Sequence, residues 1–359
     1  MQTPQLSWDS GTAYDMFISF TVLHDPDKYG LRGAWAAGVR SRLPNPERET
    51  LQKIIPNVMW PLPWIHALPT PKDGATVINE LEKIAPAKRI PTLFLNYETP
   101  AEIVSLLENV AARGSWTEQD KDLLVDLYKT HWGKKKSSKK IKEHAAIDLD
   151  LWANLAENGE RLLASLRAYQ KVFFAEEELR IRPTLKPALK KAQALAEEKE
   201  LLDLLNDLSQ GVKFPDTLKM KELILAPSFW ADPLMLFGKL DAERDIFIFG
   251  GRPADASIVP GDVVPDALFQ TMKALADPTR LRILRYLSVK PLTPAELARR
   301  LRLRAPTVVH HLHTLRLARL VHITLEDEGR RYQARRRAIN EACLMLEEYL
   351  DKDVAELIE

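Results

Sequence analysis

Three histidines, His310, His311 and His313, fall within four positions of one another in APTVVHHLHTLRLARL, residues 305–320. Imidazole can ligate a metal, move a proton or hydrogen-bond to nucleic acid. His310 and His313 at i, i+3 spacing can reach one ion, but the pattern supplies no third ligand for a zinc-type site. General-base catalysis fails similarly, because no nucleophile or orienting carboxylate is placed beside them. The surroundings are basic instead. From Thr271 to Asn340 sixteen Lys and Arg stand against five Asp and Glu, whereas Glu341 to Glu359 holds one Lys against seven acids, an asymmetry hidden by the chain's net charge of +1. Such a block is what a surface needs to displace counterions from nucleic acid, although charge runs are often merely solvated. The pattern therefore favours His310 and His313 meeting base edges or phosphates, with His311 bracing the domain.

Those side chains need a helix to carry them. At 100° per residue Val308, Leu312 and Leu315 fall within about 60° of one another, a seam for packing, while Pro306, Val309, His310, His313 and Leu317 gather opposite. Thr307, Thr314 and Arg316 flank the two faces. Ala305 is a poor N-cap, which leaves the first N–H groups of this helix, 306–318, for a neighbouring residue or for phosphates. Upstream, Leu268, Met272 and Leu275 sit at helical spacing. In ADPTRLRILRYL, Asp277 is a good N-cap and Pro278 suits the first helical position. TPAE supplies Thr293, Pro294 and Glu296 in capping-box order for a short helix to about Leu301. Downstream, VHITL alternates as a half-buried strand, EDEG turns, and RRYQAR returns as its partner, with a last helix at about 338–358.

Together, ADPTRLRILRYL, TPAELARRL, APTVVHHLHTLRLARLV and EGRRYQAR resemble the ArsR-type winged helix-turn-helix family of prokaryotic transcriptional regulators, over Asp266 to Leu350. The resemblance implies a homodimer with the first and last helices at its interface. It places each recognition helix in a major groove of double-stranded DNA and the wing toward backbone or minor groove. Occupation of an operator as a repressor is the mode it implies. The expected DNA contacts are Pro306, Thr307, Val309, His310, His313, Thr314, Arg316 and the wing pair Arg330 and Arg331. Metal-sensing members carry a cysteine pair on the helix before the recognition helix, or His and carboxylate ligands on the last helix. Here 294–301 has no cysteine and no histidine follows His322, so no metal or cofactor is assigned.

The rest of the chain frames this block. Its 359 residues suit two or three units, and 45% apolar with 28% charged residues is ordinary for a globular protein. All eight tryptophans, Trp8 to Trp230, precede the basic block, and GGRPADASIVPGDVVPD reads as a connection. The division expected is an α+β front region at 1–250 that senses a small-molecule effector or organises assembly, a linker at 251–265 and the winged domain, with its dimerisation helix, at 266–359. The fold class expected is mainly α with α+β parts. Helical patterns occupy about 13–23, 31–40, 47–55, 76–84, 101–112, 118–129 and 149–210, the last too rich in prolines, Pro183 and Pro187, for one uninterrupted helix. KELILAP, LMLFGKL and DIFIFGG, with a strand at Leu6 to Asp9, suit a small sheet.

The lysine run 133–140 reads as an exposed loop, with a phosphate-contacting arm as the alternative, and HDPD, 24–27, as a turn. WPLPWIH, 60–66, reads as core, with a pocket wall as the alternative. Cys343 is the only cysteine, so intrachain disulfides are excluded. No apolar run reaches the roughly 18 residues of a membrane span and MQTPQLSWDS lacks a signal pattern, so a cytoplasmic protein is expected. The motifs GxGxxG, HExxH, GxSxG and the phosphate-binding loop do not occur, so an enzyme is not expected. Two alternatives stay open: an enzymatic or effector-binding front region whose winged domain is autoregulatory, and a winged domain that serves as a protein-interaction module.

Overall fold

A computed structural model describes residues 4–54, 60–132, 138–215, 218–261, 263–326 and 329–351. The fold is mainly α with a small α/β part, as expected. Strand β1 (Gln5–Trp8) leads into α1 (Thr12–His24), which is buried on nearly all sides and lacks a polar face because helices pack around it. One core is shared with α1 by α2 (Gly33–Ser41), α3 (Asn45–Ile54), α4 (Leu62–Ala67), α5 (Gly74–Lys83) and α6 (Pro86–Phe94), then α7 (Ala101–Arg113), α8 (Glu118–Trp132), α9 (Ser138–Ala153) and α10 (Leu155–Tyr169). The segment expected to be helical at 149–210 is divided among the end of α9, α10, a π-helical turn at Gln170–Phe174, α11 (Ala175–Glu198) and α12 (Leu201–Leu208).

Against expectation, α11 runs unbroken through Pro183 and Pro187. Four residues apart, the two prolines share one exposed face, where water can take the carbonyls they leave without a donor. Of the lysine run, 133–137 lie outside the described residues and 138–140 open α9, so that part is helix and not loop.

Four strands come next: β2 (Val212–Lys213), which joins another sheet, and β3 (Glu222–Ser228), β4 (Leu236–Lys239) and β5 (Arg244–Gly250), which build a sheet with β1. Strands β1, β3 and β5 are parallel, with β4 antiparallel at the edge, in the order β1-β3-β5-β4. Leu223, Leu225, Phe247 and Phe249 face a core with α11 and α12, while Ile224, Ala226, Ile246 and Ile248 face the main helical core. Burial on both faces explains why ELILAPS and DIFIFG read as continuous apolar runs.

The C-terminal region has its own core. Helices α13 (Asp266–Leu275), α14 (Pro278–Leu287), α15 (Pro294–Leu301) and α16 (Ala305–Leu317) precede the hairpin β6 (Val321–Glu326) and β7 (Gly329–Ala334), and α17 (Arg336–Asp351) follows. The start signals act as their chemistry dictates. Asp277 accepts from Arg280 N, and Thr293 and Glu296 form the reciprocal capping box. Residues 352–359 lie outside the described residues, so only the 336–351 part of the expected last helix is described.

Candidate nucleic-acid interface

The packing seam of α16 is the one its spacing dictates: Val308, Leu312 and Leu315 are fully buried in the C-terminal core. The opposite face divides into two halves. At its N-terminal end Pro306, Thr307 and His310 are exposed and Val309 is 50% exposed. Arg304, the N-cap, makes no side-chain cap, so the first turn offers backbone N–H groups outward. Arg299, Arg300, Arg302 and Arg304 lie exposed at the end of α15 and along the turn into α16, and Arg330 is exposed on the wing. Arg302 closes α15 in the left-handed conformation at φ 56°.

Toward its C-terminal end the same face is roofed by the front region. His313 Nε2 lies 2.8 Å from the carbonyl of Lys28, in the 3-10 turn Pro26–Tyr29, so His313 is half-buried; Thr314 is half-buried beside it. Burial lowers the pKa of His313 despite that carbonyl contact, and burial lowers that of His311 despite Asp277. Leu317 is buried.

Arg316 departs from the expectation of a DNA contact. It is 5% exposed, and its Nη1 and Nη2 donate to the carbonyls of Gln210 and Ser209, each at 2.6 Å, where α12 ends. A guanidinium there satisfies carbonyls that the helix leaves unpaired and meets the negative end of its dipole. Burial, with Arg335 and Arg319 close by, pushes its pKa down to about 10. Arg331, half-buried, lies 3.5 Å from the capping-box carboxylate of Glu296, leaving Arg330 as the outward member of the wing pair.

Further contacts bind the two regions. Strand β2 pairs in parallel with β6, extending the wing to three strands in the order β2-β6-β7. Ile323 N donates to Gly211 O, and Arg335 Nη1 to Gln210 O. Gly211 holds φ 112°, and a Cβ there would press on Arg335 and His322 at 3.1–3.2 Å, so glycine is required at this junction. Asp232, fully buried, receives Gln210 Nε2 at 2.9 Å, Arg252 at 3.3 Å and Arg319. Gly250 permits that approach, because a Cβ would stand 2.6 Å from Asp232 Oδ2. Gln270 Nε2 on α13 donates to Gly30 O at 2.6 Å. Within the 251–265 segment expected as a linker, Ser257 and Ile258 are packed on the front region: both are buried, and Arg180 donates to their carbonyls.

Lys28, Ser209, Gln210, Asp232 and Arg252 therefore belong to the surroundings of α16, and the sequence pattern assigned none of them. The signals present were Asp232-Pro233 and the Gly250-Gly251 pair, which punctuate the chain where it makes close approaches. In the front region Tyr14, His66 and Lys72 converge on Asp9 at the end of β1, a hub whose carboxylate is already satisfied. Among the described residues no group of three or more His, Cys, Asp or Glu could hold a metal ion.

Helices α13–α16 with the β6–β7 wing define a winged helix-turn-helix. Residues 275–324 match the family described as a helix-turn-helix domain, which covers α14, α15, α16 and most of β6. The C-terminal region is thus a helix-turn-helix domain of the DNA-binding kind. No curated protein matches the chain. No solved structure matches it. Among the described residues no helix is long and apolar enough to cross a membrane.

Proposed function

We propose that this protein is a sequence-specific, DNA-binding transcriptional regulator of ArsR type that represses by occupying an operator as a homodimer, without enzymatic activity of its own. One observation carries the reading: the N-terminal half of α16 presents Pro306, Thr307, Val309 and His310 outward, opposite a fully packed seam and beside exposed arginines. In helix-turn-helix proteins the N-terminal residues of the second helix reach base edges. His310 is suited to accept from or donate to a base edge, Val309 to meet a thymine methyl, and Arg330 to meet phosphate.

Dimerisation is supported by α17, where Ile339, Cys343, Leu346 and Leu350 recur at i, i+4, i+7 and i+11. Leu350 is 68% exposed and Cys343 is exposed, a stripe that a second copy of α17 would cover. The roof over His313 and Arg316 favours a second reading, in which the winged domain is a docking module for the front region and does not bind DNA. Selection from random duplexes with the purified full chain tests both. Enrichment of an inverted repeat, with affinity falling steeply as salt rises, supports the regulator. A flat, sequence-independent result supports the docking module.

A further inference from the structure

Where the roof meets the recognition helix a narrow crevice remains, lined by Tyr29, Asp232, Arg252, Asp266, Gln270 and Arg319 among others. It opens beyond the carboxyl ends of β3 and β5, the side of a parallel sheet where ligands of α/β folds bind. We propose that this crevice binds a compact oxyanion, a carboxylate or a phosphate group, clasped between Arg252 of the front region and Arg319 immediately after the recognition helix.

Arg252 has a 5% exposed side chain and lies over the ring of Phe229 with 5.5 Å to its centroid. Its Nη2 is engaged by Asp232, through the backbone carbonyl at 2.9 Å and the carboxylate at 3.3 Å. Its Nη1 is buried without a hydrogen-bond acceptor: Asp266 Oδ2 is 3.2 Å away, near enough for charge attraction but not aligned for a hydrogen bond. Arg319 gives Nη2 to Asp232, while its Nε is likewise buried without an acceptor. Arg319 is less enclosed than Arg252, its side chain 25% exposed, but a buried donor atom left unused is costly in either, and an oxyanion bound by two arginines is a strong way to satisfy both.

The local charge points the same way. Arg252, Arg316, Arg319 and Arg335 crowd around the end of α12 and Asp232, with Asp232 and Asp266 as the carboxylates paired to Arg252. The lowered pKa of Arg316, due first to burial and then to Arg335 and Arg319, registers this excess of positive charge. The narrow crevice suits a small ion or the anionic end of a larger molecule, with Gln270 and Tyr29 at hand as neutral polar neighbours. Because one arginine comes from each side, a bound anion would strengthen the docking of the front region on α16. Its effect on DNA affinity rests on the regulator reading above, but the site itself does not.

The test is calorimetric titration of the full chain with sodium phosphate and, separately, sodium acetate, against sodium chloride at equal ionic strength. A saturable isotherm with phosphate or acetate beyond that with chloride is expected, and the anion that gives it identifies the class. Arg319→Gln should weaken it at least tenfold. Ala267→Phe, which fills the crevice from α13 and removes no charge, should abolish it even if Arg319→Gln fails to fold. No saturable signal with either anion overturns the proposal. So does unchanged binding in Ala267→Phe, which would place the anion on the exposed arginines of the winged domain. A parallel duplex titration separates the two readings: lost DNA binding with an intact anion isotherm removes the regulator and leaves the site.

Discussion

Substituting Arg316 by Met decides whether this residue holds the two regions together or contacts DNA. Two charge-assisted hydrogen bonds at 2.6 Å are gained in the fold, each worth about 1.5–3 kcal/mol. Against them stands the burial of a cation near two others. The fall in pKa from 12.5 to about 10 corresponds to roughly 3 kcal/mol of penalty on the charged form. Gross gain and penalty largely offset, so the change should destabilise by about 1–3 kcal/mol, dominated by carbonyls left without donors. Ser209 O is the more affected, because Gln210 O keeps Arg335 at 3.1 Å.

Arg316→Lys separates charge from geometry, since an ammonium cannot span both carbonyls as a guanidinium does. It should lose most of the same stability while keeping the charge. Urea unfolding gives the stability, and duplex binding across salt concentrations gives the number of phosphates neutralised. For the folded variants the salt slope should equal that of the unsubstituted protein. A slope shallower by about two in Arg316→Met, one phosphate lost in each subunit, with stability unchanged, would refute the inward assignment and restore Arg316 to the DNA surface.

Three further outcomes are expected. Asp15 is buried in α1, and burial raises its pKa to about 7 although Ser228 Oγ and Trp230 N donate to it. Its folded pKa exceeds the unfolded one, so its contribution to stability falls as pH rises from about 4 to about 7. Asp15→Asn should then match the unsubstituted protein near pH 4 and exceed it above pH 7, by up to about 4 kcal/mol; an equal stability difference at both ends in urea titrations would contradict this. His310→Ala should cost about 1–3 kcal/mol of discrimination at one base position, seen as a relaxed preference in duplex selection, whereas unchanged preference would remove His310 from the reading face. Leu350→Glu should place a charge in the α17 stripe and yield a monomer by light scattering, and a persisting dimer would move the interface elsewhere.

What the sequence showed and what it hid differ by the range of the interactions involved. Asp277, the Thr293–Glu296 box and the Val308-Leu312-Leu315 seam act within a few positions, so spacing alone identified them. The apolar runs of β3 and β5 were equally legible, because burial on both faces leaves no alternation to misread. The roof was not legible. Arg316 meets Ser209 across 107 positions and His313 meets Lys28 across 285, and no local pattern encodes such partners. A helical wheel shows which face points away from the core. It cannot show that another region covers one end of that face and leaves the other free. Pro183 and Pro187 misled for a related reason, since their cost depends on whether solvent reaches the carbonyls they strand.

The same distinction alters what the basic block can do. Its sixteen cations suggest many phosphate contacts, yet Arg316, Arg319 and Arg335 are engaged by the front region. Arg280 caps the carbonyls of Lys273 and Ala274, and Arg331 pairs with Glu296. Around the free end of α16 and the wing tip, Arg299, Arg300, Arg302, Arg304 and Arg330 are exposed. At about 0.9 of slope per phosphate, five contacts in each of two subunits limit the dependence of log K on log salt to roughly −9, where the whole block would give nearly −29. Equilibrium binding to one operator between low and physiological salt measures it. A slope much steeper than about −9 would mean that further cations reach the phosphates, and its loss of steepness in Arg282→Gln and Arg285→Gln, exposed on α14, separates a wider footprint from a roof that lifts and releases Arg316 and its neighbours. A slope near that limit would mean that the front region stays docked, and that the operator is read by the first two turns of the helix alone.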